Sequence, residues 1–290
     1  MARVRSSLTG LAVSLLAGGP LAAGCGGCSC GEPPPSATPS APPEAASQVQ
    51  RAGRAALPPV TSLGDEPFSS AERGGLHGTI LFEGEAPERF TLAAASERSE
   101  CSHHPEVDQR ANEVVVSDGK LAGVFVHLKS GYDEAAIPAA PSSPVTLDQR
   151  GCMYVPRVVA LQLGQKLRVS NSDPTNHNVH ARPKKNTQFN RNMGIAADPA
   201  KDAFEVTFEH AEKPVPFACD IHPWMGAVVF VEEHPWFAVS DEHGAFRIPD
   251  VPPGEYVVEA VHEKLGSVAG SVKVSAGKST GFTLTLRAKK

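Results

Sequence analysis

A cysteine, a histidine and a methionine lie close together after an alternating run of residues. Cys219, His222 and Met225 follow one another at intervals of three residues. Because side chains on a strand alternate faces with a period of two, a strand that buries Val215 and Phe217 carries Cys219 inward as well. The loop that follows can then fold His222 and Met225 back over the sulfur. A thiolate, an imidazole and a thioether together are donors suited to copper.

A second imidazole from elsewhere in the chain would complete a metal-binding set. Two histidines, His177 and His180, lie in an upstream segment. If Val179 faces the core of an extended strand, His177 lies on the same side and His180 on the other. We therefore expect His177 to be the ligand, although a β-bulge would exchange the two. Two histidines, a cysteine thiolate and a weak axial methionine form the ligand set of a mononuclear blue-copper centre.

The segment 219–225 resembles the ligand loop of the cupredoxins, in the short-loop, amicyanin- and plastocyanin-like form where Cys-x-x-His-Pro-aromatic-Met is contiguous. The pair His177-Asn178 resembles the first copper ligand of that family and the asparagine after it. The resemblance covers roughly residues 150–232. It implies a Greek-key β-sandwich with one type-1 copper at one pole and His222 as the exposed edge through which electrons leave. The implied ligands are His177, Cys219, His222 and Met225.

Other chemistries fit these residues less well. A multicopper oxidase needs further His-x-His pairs, and a dinuclear electron-transfer site needs two cysteines in the ligand loop, where this sequence has one. A Cys–His nucleophile dyad would leave His177 and Met225 without a role. We therefore expect no catalytic residue and no enzyme. The expected function is single-electron transfer between envelope redox partners such as a cytochrome or a copper enzyme. The alternative is copper binding or storage, or a non-catalytic envelope binding module, without redox turnover.

The N-terminus predicts export. Arg3 and Arg5 precede an apolar run over residues 8–16, and small residues then lead to Cys25. This run resembles a bacterial lipoprotein cleavage site with Cys25 as the lipidated residue, and an ordinary signal peptide is the alternative. We expect residues 1–25 to be the signal peptide and the mature chain to lie in the periplasm or cell envelope, with a lipid anchor as its only membrane attachment.

Composition favours an all-β fold with many turns. The 290 residues include 26 glycines and 26 prolines, and the net charge of −5 gives no basic surface for nucleic acid. Residues 26–75 are rich in Pro, Ala and Ser and predict a disordered tether. Alternating patterns predict β-strands from about residue 76 onward, and the resemblance implies a cupredoxin-like copper domain with an N-terminal β extension over 76–233. Residues 234–290, with turns such as Pro-Pro-Gly-x-Tyr, resemble a smaller carboxypeptidase-regulatory, transthyretin-like β-sandwich.

The remaining cysteines differ in context. Cys28 and Cys30 lie in the Gly/Ser-rich leader, whereas Cys101 and Cys152 lie in the predicted folded part. In an exported protein a disulfide between the latter two is reasonable. Cys219 would then be unpaired, as a thiolate ligand must be.

Overall fold

The structure is a computed structural model that describes residues 71–92 and 97–288. The predicted signal peptide, the lipidation site at Cys25 and nearly all of the tether lie outside the described residues. Within the described part, regular structure is almost wholly β, and the all-β fold class is confirmed. No helix in these two ranges has the length and apolar character needed to cross a membrane.

The described residues form eighteen strands and two short 3-10 helices, Ser99–Cys101 and Glu134–Ala136. In chain order the strands are β1 (Gly74–Glu83), β2 (Val116–Ser117), β3 (Lys120–Leu121), β4 (Phe125–Ser130), β5 (Val145–Arg150), β6 (Met153–Val155), β7 (Val158–Gln162), β8 (Leu167–Asn171), β9 (His177–Ala181), β10 (Phe189–Met193), β11 (Phe204–Val206), β12 (Glu212–Ala218), β13 (Gly226–Glu232), β14 (Phe237–Val239), β15 (Ala245–Val251), β16 (Gly254–His262), β17 (Gly266–Val274) and β18 (Ser279–Arg287).

The strands from β5 to β13 form a first sandwich. One sheet has the order β11-β8-β5-β6 and the other has the order β10-β9-β12-β13-β7. Strands distant in sequence are neighbours, because β5 pairs in parallel with β8 and β13 pairs in parallel with β7. The apolar core between the sheets includes Leu147, Leu161, Val169, Val179 and Val229, all nearly or fully buried. This is the β-sandwich that the alternating pattern predicts.

The other strands form a second sandwich. β1 lies between β18 on one side and β15 and β3 on the other, and β2 extends that sheet beyond β3. The facing sheet has the order β14-β4-β16-β17. Its core includes Leu76, Ile80, Leu128, Ile248 and Val258.

Strand pairing crosses the boundary that the sequence predicts between residues 76–233 and residues 234–290. β1 pairs with β18 over nine residue pairs, and β4 pairs with β16. Alternation shows which side chains face inward, but it does not show which distant strand will lie alongside. The second sandwich therefore contains strands from both ends of the described chain. The resemblance of residues 234–290 to a carboxypeptidase-regulatory sandwich stays a prediction.

The two sandwiches pack through β13 and through residues 125–128 of β4, which are buried on both faces. On β13, Val229 faces the first core while Val228 and Phe230 face outward. The Phe230 ring stacks on Phe125 of β4, with ring centroids 4.5 Å apart and an interplanar angle of 7°. A strand buried on both sides reads as a continuous apolar run, as the sequence from Ala227 to Val231 does. This contact between β13 and β4, here called the joint, links the two sandwiches into one unit.

Candidate metal centre

Three of the four predicted ligands meet at one end of the first sandwich. The Nδ1 atoms of His177 and His222 are 2.9 Å apart. The Sγ atom of Cys219 lies 3.7 Å from Nδ1 of His222 and 4.0 Å from Nδ1 of His177. Donors that share one ion at bond lengths of about 2.0–2.3 Å lie about 3–4 Å apart. The three side chains therefore fit a single metal ion, and both imidazoles present the same ring nitrogen.

Two strands and one loop position these donors. His177 begins β9 and Cys219 directly follows β12, and the two strands pair antiparallel with Ala218 opposite His180. The loop after Cys219 is closed by two backbone hydrogen bonds, since the Cys219 N–H donates to the Met225 carbonyl at 3.2 Å and the Met225 N–H donates to the His222 carbonyl at 2.9 Å. This closure turns His222 back toward the sulfur.

Met225 lies in the same buried core cluster as Cys219, and its side chain is 1% exposed. His180 lies elsewhere, because its Nδ1 is 3.0 Å from the Asp220 carboxylate at the surface. Alternation thus separates His177 and His180 as expected, and His177 is the histidine that reaches Cys219. The assignment of these residues as copper ligands stays a proposal.

A backbone hydrogen bond reaches the sulfur from β9. The Asn178 N–H donates to Sγ of Cys219 at 3.5 Å, within the range for a sulfur acceptor. The Asn178 side chain accepts from the Asp220 N–H at 2.6 Å and donates to the Asp220 carboxylate at 3.0 Å. Asn178 therefore links the His177 strand to the cysteine loop, and its backbone N–H donates to the sulfur.

Asp173 is a part of the site that sequence reasoning missed. Its carboxylate lies 2.9 Å from Nε2 of His177 and accepts the backbone N–H groups of Gly151 at 2.6 Å and Cys152 at 2.9 Å. A carboxylate on one ring nitrogen of a histidine fixes the tautomer and turns the other nitrogen toward a metal. In the sequence Asp173 is a turn residue, and its only signal was an acidic side chain four positions before His177.

Charge and burial shift the pKa values of the three donor side chains. Burial raises the pKa of the Cys219 thiol, but hydrogen bonds from His177 and nearby backbone N–H groups outweigh burial and lower it below its ordinary value. Burial lowers the pKa of His177, but contacts with Asp173 and Cys219 outweigh burial and raise it. Burial, together with the charges of His177 and Arg98, lowers the pKa of His222 to about 4. Relative to free side chains, these pKa shifts favour the thiolate form of Cys219 and the protonated form of His177. Metal binding at Nδ1 would require His177 to lose that proton.

His222 is not an exposed edge, which corrects the expectation from the resemblance. Its side chain is 1% exposed. The predicted disulfide between Cys101 and Cys152 is present, and its sulfur atoms and a ring nitrogen of His222 all lie within 4.8 Å of one another. Trp224 covers another side of the ring, with centroids 5.2 Å apart in an edge-on arrangement. The edge of His222, which the resemblance implies to be exposed, is therefore covered in this chain.

A second group of metal-type side chains lies at the joint between the sandwiches. His127, Glu232 and His234 bring ligand atoms within 4.8 Å of one another. Both ring nitrogens of His234 are used, because Nε2 donates to the Leu128 carbonyl at 2.8 Å and Nδ1 accepts from a backbone N–H. Glu232 is paired with the Lys213 ammonium at 2.7 Å and lies 2.7 Å from His127. This group is an internal ion network rather than a metal site.

The chain is similar to several solved structures over part of its length. It is similar to a Cu(I) form of an amicyanin mutant, with 18% identity over 37% of this chain and 98% of that chain and a TM-score of 0.27. It is also similar to the copper-containing nitrite reductase of Thermus scotoductus, with 16% identity over 53% of this chain and 28% of that chain and a TM-score of 0.29. A purple cupredoxin from Nitrosopumilus maritimus is 20% identical over 31% of this chain and all of its own, with a TM-score of 0.25.

No family model and no curated protein matches the chain. The similar solved structures thus include cupredoxins, but they cover part of this chain at low TM-scores. Scores this low carry no weight on function, which we infer from the side chains of the site.

Proposed function

We propose that this chain is an exported type-1 copper protein that carries single electrons between redox partners of the cell envelope. One observation carries the proposal. The two Nδ1 atoms of His177 and His222 and the thiol of Cys219, the free cysteine of the described residues, converge within 4.8 Å in a buried site. The proposed ligands are these three residues and Met225.

The donor set suits both oxidation states of copper. Thiolate and thioether favour Cu(I), whereas imidazole also suits Cu(II), so a bound copper would supply a one-electron couple. Asp173 holds the ring of His177 in one orientation, and the Asn178 N–H holds the sulfur of Cys219. Donors fixed in this way need little rearrangement when one electron is gained or lost. The surrounding apolar side chains exclude water and so influence the reduction potential.

The proposal includes no catalytic residue and no enzyme activity. Burial of the proposed ligands supports the absence of catalysis from the proposal, because a substrate would have to reach the metal. Each of the four is at most 2% exposed: His177, Cys219, His222 and Met225. The partners we propose are redox proteins such as a cytochrome or a copper enzyme. The predicted signal peptide, with Cys25 as a lipidation site, supports a periplasmic or envelope location with a lipid anchor.

Copper storage without redox turnover is a second candidate. The covered His222 ring favours it, because a ligand hidden from solvent lengthens the path for an electron and slows loss of the ion. A copper-storage protein would bind copper in one oxidation state. Its visible absorption spectrum would not return to the starting one after a cycle of reduction and oxidation.

An anaerobic copper titration tests the proposal. The copper-free protein is expected to take up one equivalent of Cu(II). The loaded protein should then show an intense visible absorption, and Cys219→Ser should lack it. His180→Ala is the matched control, because His180 is a nearby histidine that does not reach the sulfur, and it should keep the absorption. A colourless protein that holds only Cu(I) would favour storage, and no copper uptake at all would refute both candidates.

A further inference from the structure

A segment of the second sandwich lies over the metal pole of the first. Residues 98–110, here called the cover segment, belong to the connection between β1 and β2, whose strands lie in the sheet of the second sandwich. Cys101 in this segment is bonded to Cys152, which lies just before β6 of the first sandwich. The disulfide thereby attaches one sandwich's connection to the other sandwich, beside His222.

Contacts other than the disulfide also hold the cover segment in place. The Gln109 side-chain amide donates to the Cys101 carbonyl at 2.7 Å and to the Gly151 carbonyl at 2.9 Å. His104 places Nε2 3.1 Å from the Ser172 carbonyl. A Cβ atom added at Gly151 would lie 3.2 Å from Cβ of Val107, so the Val107 side chain packs closely on the Gly151 backbone. The cover segment is therefore fixed at several points along its length.

Trp224 fills the space between the cover segment and the metal ligand. Its indole N–H donates to the Cys152 carbonyl at 3.0 Å, and its ring lies edge-on to His222. The Arg98 guanidinium lies 5.8 Å above the same indole ring. Solvent reaches neither sulfur of the disulfide, since Cys101 and Cys152 are both 0% exposed. Disulfide, indole and guanidinium together close the side of the site on which His222 lies.

We infer that the cover segment, held by the Cys101–Cys152 disulfide, controls release of the metal, so that a small chelator can remove the ion only after this segment opens. The inference rests on the proposed function and adds to it a control of metal exchange. A small ligand or chelator that approaches along His222 must first displace a segment that is covalently fixed to the other side of the site. An electron needs no such displacement, because it can pass through the packed side chains.

The test measures how fast a small chelator removes the metal. The full chain is loaded with Cu(I) without oxygen and mixed with excess bathocuproine disulfonate, and formation of the coloured Cu(I) complex is followed. The double variant Cys101→Ser with Cys152→Ser frees the cover segment and should release copper about tenfold faster or more, because local opening becomes easier. Gln109→Ala keeps the disulfide and should give an intermediate rate.

Asn186→Ala is the matched control. The Asn186 amide donates to the His210 carbonyl and to Glu212 and so joins two loops as Gln109 does, but it has no contact with the cover segment. Its release rate should equal that of the unaltered chain.

Equal release rates in the unaltered chain, the double variant and Gln109→Ala would overturn the inference. If the double variant does not fold, the copper-release rates of Gln109→Ala and Asn186→Ala are compared instead. Equal rates in these two variants would then overturn the inference. Failure of the unaltered chain to load copper would instead refute the proposed function, and this failure is seen before any chelator is added.

Discussion

Replacing Asp173 should damage both the fold and the metal site, because one buried carboxylate serves three donors. Asp173→Ala leaves the N–H groups of Gly151 and Cys152 and the Nε2–H of His177 without an acceptor. A buried donor without a partner costs about 1–3 kcal/mol, so three of them should lower the free energy of unfolding by at least about 3 kcal/mol. Asp173→Asn keeps one carbonyl oxygen and should cost less.

The metal affinity should fall as well. Loss of the partner that orients a metal-binding histidine typically reduces affinity by about 10–100-fold, and we expect this for Asp173→Asn. Urea denaturation of the metal-free chain gives the stability, and competition with a chelator of known affinity gives the copper dissociation constant. Asp148→Asn is the matched control, because Asp148 is a buried aspartate that accepts from Ser170 and Ser172 and contacts no proposed ligand. It should cost stability and leave the copper affinity unchanged. An Asp173→Asn chain that bound copper as tightly as the unaltered chain would refute the role of this carboxylate.

Two further predictions concern the joint and the second histidine. Burial raises the pKa of Glu232, but His127 and Lys213 outweigh burial and lower it from 4.5 to about 2. At about 1.4 kcal/mol per pKa unit this shift corresponds to about 3–4 kcal/mol of stability. Because the folded pKa is the lower one, this stability is present above about pH 4.5 and is lost as the pH falls toward 2. Glu232→Gln should therefore be less stable at pH 7 and nearly equal at pH 2 in denaturation measured across that range, and a difference independent of pH would contradict the assignment. His180→Ala should change copper affinity by less than about threefold in the same chelator competition, because His180 is a solvent-accessible partner of Asp220 rather than a ligand; a larger loss would show that His180 takes part in binding.

Much of the proposed metal site could be predicted from the local sequence. The alternation that buries Val215 and Phe217 also buries Cys219, and the same rule separates His177 from His180. The short spacing predicts the positions of the other two residues. A loop of six residues after Cys219 has few conformations that return His222 and Met225 toward the sulfur. These inferences needed only the period of a strand and the reach of a turn.

The parts that could not be predicted depend on contacts between distant segments. Asp173 reads as an ordinary turn residue until Gly151 and Cys152 are known to lie against it. The cover over His222 comes from a segment more than one hundred residues upstream. Likewise, β1 pairs with β18, the last strand of the described residues, and no local pattern encodes that partner. Strand alternation and short spacing therefore predict which side chains could bind the metal. The residues that surround them become known only from the folded structure.

X-ray absorption at the copper edge of the loaded protein tests the central claim most directly, because it reports which atoms surround the ion. The proposed site predicts one short copper–sulfur bond to Cys219 and two imidazole nitrogens, from His177 and His222, at about 2.0 Å. A shell of nitrogen and oxygen alone, or an identical spectrum for Cys219→Ser, would contradict it.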